Sequence, residues 1–292
     1  MLPNESMISR GSRESSLSDR ILVIRPGKSD RDYWKDLWRY RELFMILAWR
    51  DMSVRYKQTI IGVLWAILQP LLTMVVFTLL FSKIAGLPSD GNAPYALMVF
   101  SAMLPWTLFS TSFGEASNSL INNAHLISKV YFPRMIIPVA SIVTAFVNFL
   151  ISFVILLALM LYYQFAPSWK ILLLPFFILM TLLTSIGSGL WISALNVRYR
   201  DFRCVIPFIM QFGLYISPVG FSSSVIPEQW RLLYNLNPMV GVIDGFRWCI
   251  LDSVHSPLSL QVFLLSITII LFFLWFGVSQ FRKMEKSLAD LI

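Results

Sequence analysis

The sequence predicts an all-α integral membrane protein with six transmembrane helices, and three observations carry that prediction. Only 14% of the residues are charged against 57% hydrophobic, where a soluble domain carries about 25% charged. Six charge-free intervals are each long enough to cross the roughly 30 Å hydrocarbon core of a bilayer. The Lys and Arg between them collect on alternate loops.

Residues 1–30 are rich in Ser and Arg and poor in aromatics, which predicts a flexible cytoplasmic tail with no cleavable secretory signal. Residues 31–57 form the interface segment. Tyr33, Leu37, Tyr40, Phe44 and Leu47 recur at three- and four-residue spacing, widened by Trp34 and Trp38, with Lys35, Arg39 and Glu42 opposite. That pattern predicts an amphipathic helix lying in the cytoplasmic interface, or one packed on a soluble partner. The stretch Arg55–Pro70, RYKQTIIGVLWAILQP, is the point where the chain goes in: Arg55, Lys57 and Gln58 meet an apolar run that holds no charge until Lys83.

The six spans fill residues 58–282. The charge-free intervals are 58–82, 91–114, 135–169, 171–197, 204–227 and 253–281. A further apolar interval, 232–243, is too short to cross and is interrupted by Asn235, Asn237, Pro238 and Gly241, so short re-entrant or interfacial helices are expected between spans five and six. Twenty of the 24 Lys and Arg fall on the side holding the N-terminal region, the 115–134 loop, Arg198, Arg200 and Arg203, and Arg282 with the C-terminal segment 283–292. Both termini are therefore expected to be cytoplasmic. The acidic residues divide so that the inner side carries the whole net charge of +8. Topology accounts for the basic balance and no nucleic-acid partner is needed. Cys204 and Cys249 fall on opposite sides of the membrane, so both are expected to be free.

What is missing narrows the function. No span interior carries Asp, Glu, Lys, Arg or His, although a proton-coupled transporter needs an ionisable relay. Their polar residues include the amides Gln69, Asn148, Asn196 and Gln211 with scattered Ser and Thr. There is no GxxxxGK[ST] phosphate loop. His125 and His255 lie on opposite sides, so no metal site is expected, and no catalytic triad converges. If the chain moves cargo uphill, the energy must come from another chain.

Three regions are candidate surfaces. The chain has 23 Phe, 10 Trp and 10 Tyr. Trp65 and Phe77 lie in the first span, and Trp106, Phe109 and Phe113 share one helical face of the second. Such rings can stack on sugar faces in a channel, or simply face lipid and neighbouring helices. In the loop 115–134, Leu120, Ala124 and Ile127 share a face ringed by Asn118, Asn122, Asn123 and Lys129, with Pro133 at the end. A short amphipathic helix there suits a groove on a soluble partner, or serves as a connector on its own bundle. The outer loop 222–257 holds Trp230, Tyr234 and VGVIDGFRWCIL, where Asp244 and Arg247 are spaced to pair across one turn. It is either a pore-mouth structure or a plain external cap.

Four separated motifs then resemble one family in the right order: RDMSVRYKQTIIGVLWAILQPLLTMVVFTLLF (50–81), NSLINNAHLISKVYFPRMIIPV (118–139), LNVRYRDFR (195–203) and LNPMVGVIDGFRWCIL (236–251). They are similar to the permease subunits of bacterial polysaccharide ATP-binding-cassette exporters, which handle O-antigen, capsule or teichoic acid. The resemblance implies a multi-pass protein of the bacterial inner membrane. It implies a homodimer with two copies of a separate ATPase subunit, which binds the ATP and Mg while this chain holds no cofactor. It implies an ATPase-coupling surface at Asn118, Leu120, Asn122, Asn123, Leu126, Ile127, Lys129, Tyr131, Phe132 and Arg134. A lipid-linked polysaccharide would arrive with its pyrophosphate at Arg50, Arg55 and Lys57, residues that equally suit positive-inside anchors. Trp65, Phe77, Trp106, Phe109 and Phe113 would line the channel. Trp230, Tyr234, Asp244, Phe246, Arg247 and Trp248 would form a periplasmic gate.

Two other readings stay open at the level of sequence. One is a related exporter permease for a drug or lipid. The other is a membrane-embedded glycosyl- or phosphotransferase, which needs acidic residues at the membrane surface. Outside, the chain offers only Asp90, Glu228, Asp244 and Asp252, with no DxD pattern.

Overall fold

The computed structural model describes residues 30–56, 60–89, 93–166, 168–251 and 260–291, and these are helical with irregular connections and no strand. The expected tail, Lys57 and the 252–257 part of the outer loop lie outside the described residues. A first unit ends at Arg39 and contains α1 (Asp30–Arg39). The body begins at Tyr40.

The interface segment is two helices rather than the single one expected over 33–47. Tyr40 is a turn, and α2 (Arg41–Tyr56) starts after it with the Phe44 N–H donating to the Tyr40 carbonyl at 3.1 Å. No Gly or Pro marks this break, which is why periodicity ran through it. Leu47 and Ala48 on α2 are buried, while Met45, Ile46 and Trp49 are exposed.

Among the described residues, five helices are long and apolar enough to cross a membrane. They are α3 (Ile60–Phe77, continuing as a π-helix Thr78–Ile84), α4 (Tyr95–Asn122), α6 (Ile136–Tyr162), α7 (Leu174–Arg198, entered through a 3-10 turn Trp169–Leu173) and α11 (Leu260–Leu291). The short α5 (Ala124–Lys129) follows α4.

The fifth predicted span is shorter than expected. The interval 204–227 folds as α8 (Phe202–Ile216), whose 15 residues reach only about 22 Å. The cause is local. Ser217 is extended, with ψ 152°, as a residue before proline must be, and Pro218 ends the helix although the chain stays uncharged to Pro227. Two helices follow, α9 (Glu228–Tyr234) and α10 (Pro238–Leu251), the short helices expected between spans five and six. Most of α10 is buried, packed against α4, α7 and α11.

At the centre stands α4, packed against α6, α7 and α10 and buried along most of its apolar length. Small side chains allow this. Ser101, Ala102, Ser112, Ala116 and Ser117 are fully enclosed, and Ser101 and Ser119 return their hydroxyl protons to carbonyls of their own helix. Without a hydrophobic drive between helices in lipid, close backbone approach supplies the attraction. The tightest crossing is between α7 and α11, where a Cβ on Gly277 would lie 1.9 Å from the Gly187 carbonyl oxygen. A Gly277→Leu variant should therefore part α7 from α11. We expect a destabilisation of about 2 kcal/mol or more, measured as a lower unfolding temperature in detergent, while Gly86→Ala, which meets nothing within 4 Å, shows only the smaller strain of its positive φ.

Candidate functional site

Where α2 ends and α3, α4, α6 and α8 converge, they enclose a cavity of about 570 Å³. Its wall is mostly apolar, with Met103, Leu108, Phe149, Met210 and Leu214 in it, and carries the rings of Tyr56, Trp65 and Trp106, the amides Gln69, Asn148 and Gln211, and the hydroxyls of Thr73, Thr107, Ser110, Thr111 and Ser152. Arg55 is the one charged side chain among the described lining residues. The Tyr56 hydroxyl donates to Asn148 Oδ1, tying the end of α2 to the middle of α6. Trp106 is 4% exposed and fits because α8 offers no side chain against it: a Cβ on Gly213 would stand 2.5 Å from its Cη2.

Of the expected channel aromatics, Trp65 and Trp106 reach this wall. Phe77, Phe109 and Phe113 are not among the lining residues. Phe77 is buried and stacks on Phe81, with ring centroids 5.5 Å apart. Phe109 is sandwiched between Trp106 and Phe113, and Phe113 is buried against Ile192 and Ile206. The i, i+3, i+7 stripe is thus divided between wall and packing. Sequence reasoning missed the hydroxyls and amides as lining groups. The signal was available in Thr107, Ser110 and Thr111, which share a face with Trp106 at helical spacing.

The cytoplasmic end of α4 is tied to two neighbouring helices, α2 and α7. Arg55 Nη1 lies 2.9 Å from Glu115 Oε1. Arg50 Nη2 donates to Asn123 Oδ1 at 2.6 Å and also pairs with Asp51 at 2.7 Å. Asn196 of α7 donates to the Ser117 carbonyl at 2.9 Å and to Asn118 Oδ1 at 3.2 Å. Both described cations of the expected pyrophosphate site therefore already hold carboxylates. The 115–134 loop is helix as far as Asn122, because α4 runs straight past Glu115. Leu120, Ile127 and Phe132 pack inward, Leu126 is partly covered, and Asn122, Lys129 and Tyr131 are exposed beside His125 and Val130. The backbone N–H of Arg134 donates to Glu285 Oε1 at 2.8 Å, and its guanidinium to the Glu285 carbonyl at 2.6 Å, which fastens the loop to α11.

On the outer side, the bend after α8 exposes three consecutive carbonyls, and each finds a side chain. Arg247 donates to Val219 O at 3.1 Å and to Phe221 O at 2.8 Å, and the Tyr95 hydroxyl donates to Gly220 O. Asn237 adds a 3.0 Å bond to Ser217 Oγ. Of the expected gate residues, Arg247 and Phe246 are buried in this packing, Trp248 receives Lys170 Nζ at 4.6 Å from its ring centroid, and Trp230 is exposed on α9. The Tyr234 hydroxyl is enclosed without a hydrogen-bond partner, and burial, reinforced by Asp244, raises its pKa.

Residues 42–251 match the sequence profile of the family described as ABC-2 type transporter. The chain belongs to that family. It is 28% identical to the O-antigen export system permease protein RfbA of Myxococcus xanthus, over 88% of this chain and 98% of that protein. A protein of the same name from Klebsiella pneumoniae is 26% identical, over 86% and 95%. The polysialic acid transport protein KpsM of Escherichia coli is 21% identical, over 82% and 92%. The described residues of this ABC-2 chain contain no group of three or more His, Cys, Asp or Glu that could hold a metal ion, and Cys204 and Cys249 are free thiols.

In this ABC-2 chain Arg247 serves structure. Arg247→Met should leave two carbonyls of the bend without donors and destabilise the fold by about 2–4 kcal/mol. Arg247→Lys should recover only part of that loss, since a single ammonium lacks the fork that spans Val219 and Phe221. Thermal unfolding of the purified protein in detergent checks both.

Proposed function

We propose that this chain is the membrane subunit of an exporter that moves a lipid-linked polysaccharide of the O-antigen type out of the cytoplasm across the bacterial inner membrane. The observation that carries the reading is the cavity. It sits among apolar helices, and its largely apolar wall is set with amides, hydroxyls and indoles, groups that hydrogen-bond to sugar hydroxyls and stack on sugar rings. The end-to-end likeness to proteins named as O-antigen export permeases supports the same substrate class.

In this reading the chain has no catalytic site and binds no cofactor. ATP and Mg belong to a separate ATPase subunit, two copies of which serve a homodimer of this chain. The ATPase docks on the exposed side of the 115–134 segment, at Asn122, Lys129 and Tyr131. Its motion enters α4 directly, because that helix runs unbroken from the docking end, past the cavity wall, to Tyr95 at the outer bend. The pyrophosphate of the carrier lipid is received at Arg50 and Arg55, where it competes with Asp51 and Glu115. The exposed apolar faces of α3 and α8, including Leu68, Leu72, Phe208 and Phe212, meet lipid or the second copy.

Deletion of the gene should leave completed polymer inside the cell and none at the surface, by immunoblotting of intact and lysed cells. Polymer still reaching the surface refutes the reading. The purified chain alone should hydrolyse no ATP. Lys129→Glu with Tyr131→Ala should lower the ATPase activity of the assembled complex by about tenfold, the scale of a lost hot spot, without altering the fold.

A further inference from the structure

We propose that Arg203, with Arg200 beside it, is an anion-receiving site at the cytoplasmic foot of the cavity, and that it takes the pyrophosphate of the carrier lipid. The inference rests on the export reading above and adds residues to it. Arg50 and Arg55 must each give up a carboxylate to hold an anion, whereas these two need not.

Three observations carry it. First, Arg203 continues the stripe of α8 that borders the cavity. Pro207, Met210, Gln211 and Leu214 line the wall, and Arg203 precedes them by four, seven, eight and eleven residues, the spacing of one helical face. The rotation of α8 is fixed independently, because Phe202 and Ile206 on the adjoining face pack with Phe113 and Ile192. Second, the charge-free run opens at Cys204, and no charge follows Arg203 within α8. Arg203 therefore stands where hydrocarbon gives way to headgroups, the level at which a lipid carries its phosphates. Third, these cations are unclaimed. Arg200 and Arg203 are exposed, and among the described residues no carboxylate pairs with either. Arg198, the third cation of this turn, lies over the Tyr199 ring, 5.4 Å from its centroid. Asp201 is the single acid between Arg198 and Arg203, so the turn keeps a surplus of positive charge. The Arg203 N–H donates to the Arg200 carbonyl at 3.2 Å, so both guanidinium forks leave one tight turn. Each fork matches two oxygens of a phosphate, and a diphosphate brings one phosphate for each.

The test uses the full chain, without the nucleotide sites of its ATPase, in phosphatidylcholine nanodiscs at about 0.15 M salt, where attraction beyond about 8 Å is screened and contact remains. Calorimetry, read against empty nanodiscs, compares farnesyl diphosphate with farnesol, which shares the tail and lacks the phosphates. The wild type should hold the diphosphate about tenfold or more tightly than farnesol. Arg200→Gln with Arg203→Gln should remove about tenfold of diphosphate affinity while farnesol binding and the unfolding temperature stay put. Arg198→Gln should change neither. Diphosphate binding that the double variant retains overturns the inference and leaves the export reading standing on Arg50 and Arg55. Wild-type binding abolished by phosphatidylglycerol in the nanodisc also overturns it, and assigns the cluster to the ordinary anionic leaflet. So does a double variant that binds the diphosphate normally but no longer co-purifies with the ATPase. If the wild type does not distinguish diphosphate from farnesol, the carrier-lipid part of the export reading fails, and this inference falls with it.

Discussion

Backbone carbonyls that leave a helix away from water must find donors, and the outer half of this protein is built on that constraint. Pro218 stops α8 well short of a full crossing, and Val219, Gly220 and Phe221 emerge with no helical partner. Arg247 and Tyr95 supply the protons. Arg247 comes from α10 and Tyr95 from the start of α4, so satisfying one bend locks three helices together. A charge buried to 1% exposure is costly alone. Here its hydrogen bonds go to carbonyls that would otherwise be unpaired, so each side of the contact answers the need of the other. The early stop of α8 is what brings α9 and α10 back over the bundle.

The inner half follows a different logic. Its ties lie at exposed or half-exposed residues: the Arg55–Glu115 ion pair, the hydrogen bond from Arg50 to Asn123, and the bonds of Arg134 to the carboxylate and carbonyl of Glu285. An ion pair as exposed as Arg55–Glu115 contributes little to stability, on the order of 1 kcal/mol or less. They are easily exchanged for other partners, as an end that receives both a soluble subunit and an anionic carrier would need. Between the two halves α4 is continuous over 28 residues, about 42 Å of helix. It has no joint at the membrane surface to absorb motion, even with Pro105 in its course. The cavity wall sits midway along it.

The polar groups of the cavity wall need no charge to be satisfied. Hydroxyls and amides within the bundle can be satisfied by their own helices or by one another, as Tyr56 and Asn148 are.

Much of this was written in composition and order. Charge-free lengths and the Lys and Arg bias require helices across a bilayer with an inner basic side, because hydrocarbon tolerates neither open backbone nor unpaired charge. The four ordered motifs pointed to the family before any coordinates. Local sequence could not say where helices end when no charge or periodic residue marks the spot. Tyr40 breaks the interface helix without a Gly or Pro, Glu115 fails to end α4 because Arg55 pairs with it, and α8 stops inside an uncharged run. Nor could spacing divide Trp106 from Phe113. Both lie on one face of α4, but a helix face meets several neighbours, and only the packing of α8 and α7 against it decides which ring borders the cavity and which fills the core. Length and charge are properties of a segment and can be summed along a chain. Whether a side chain lines a space or closes it depends on what stands opposite, and that is settled by the tertiary structure alone.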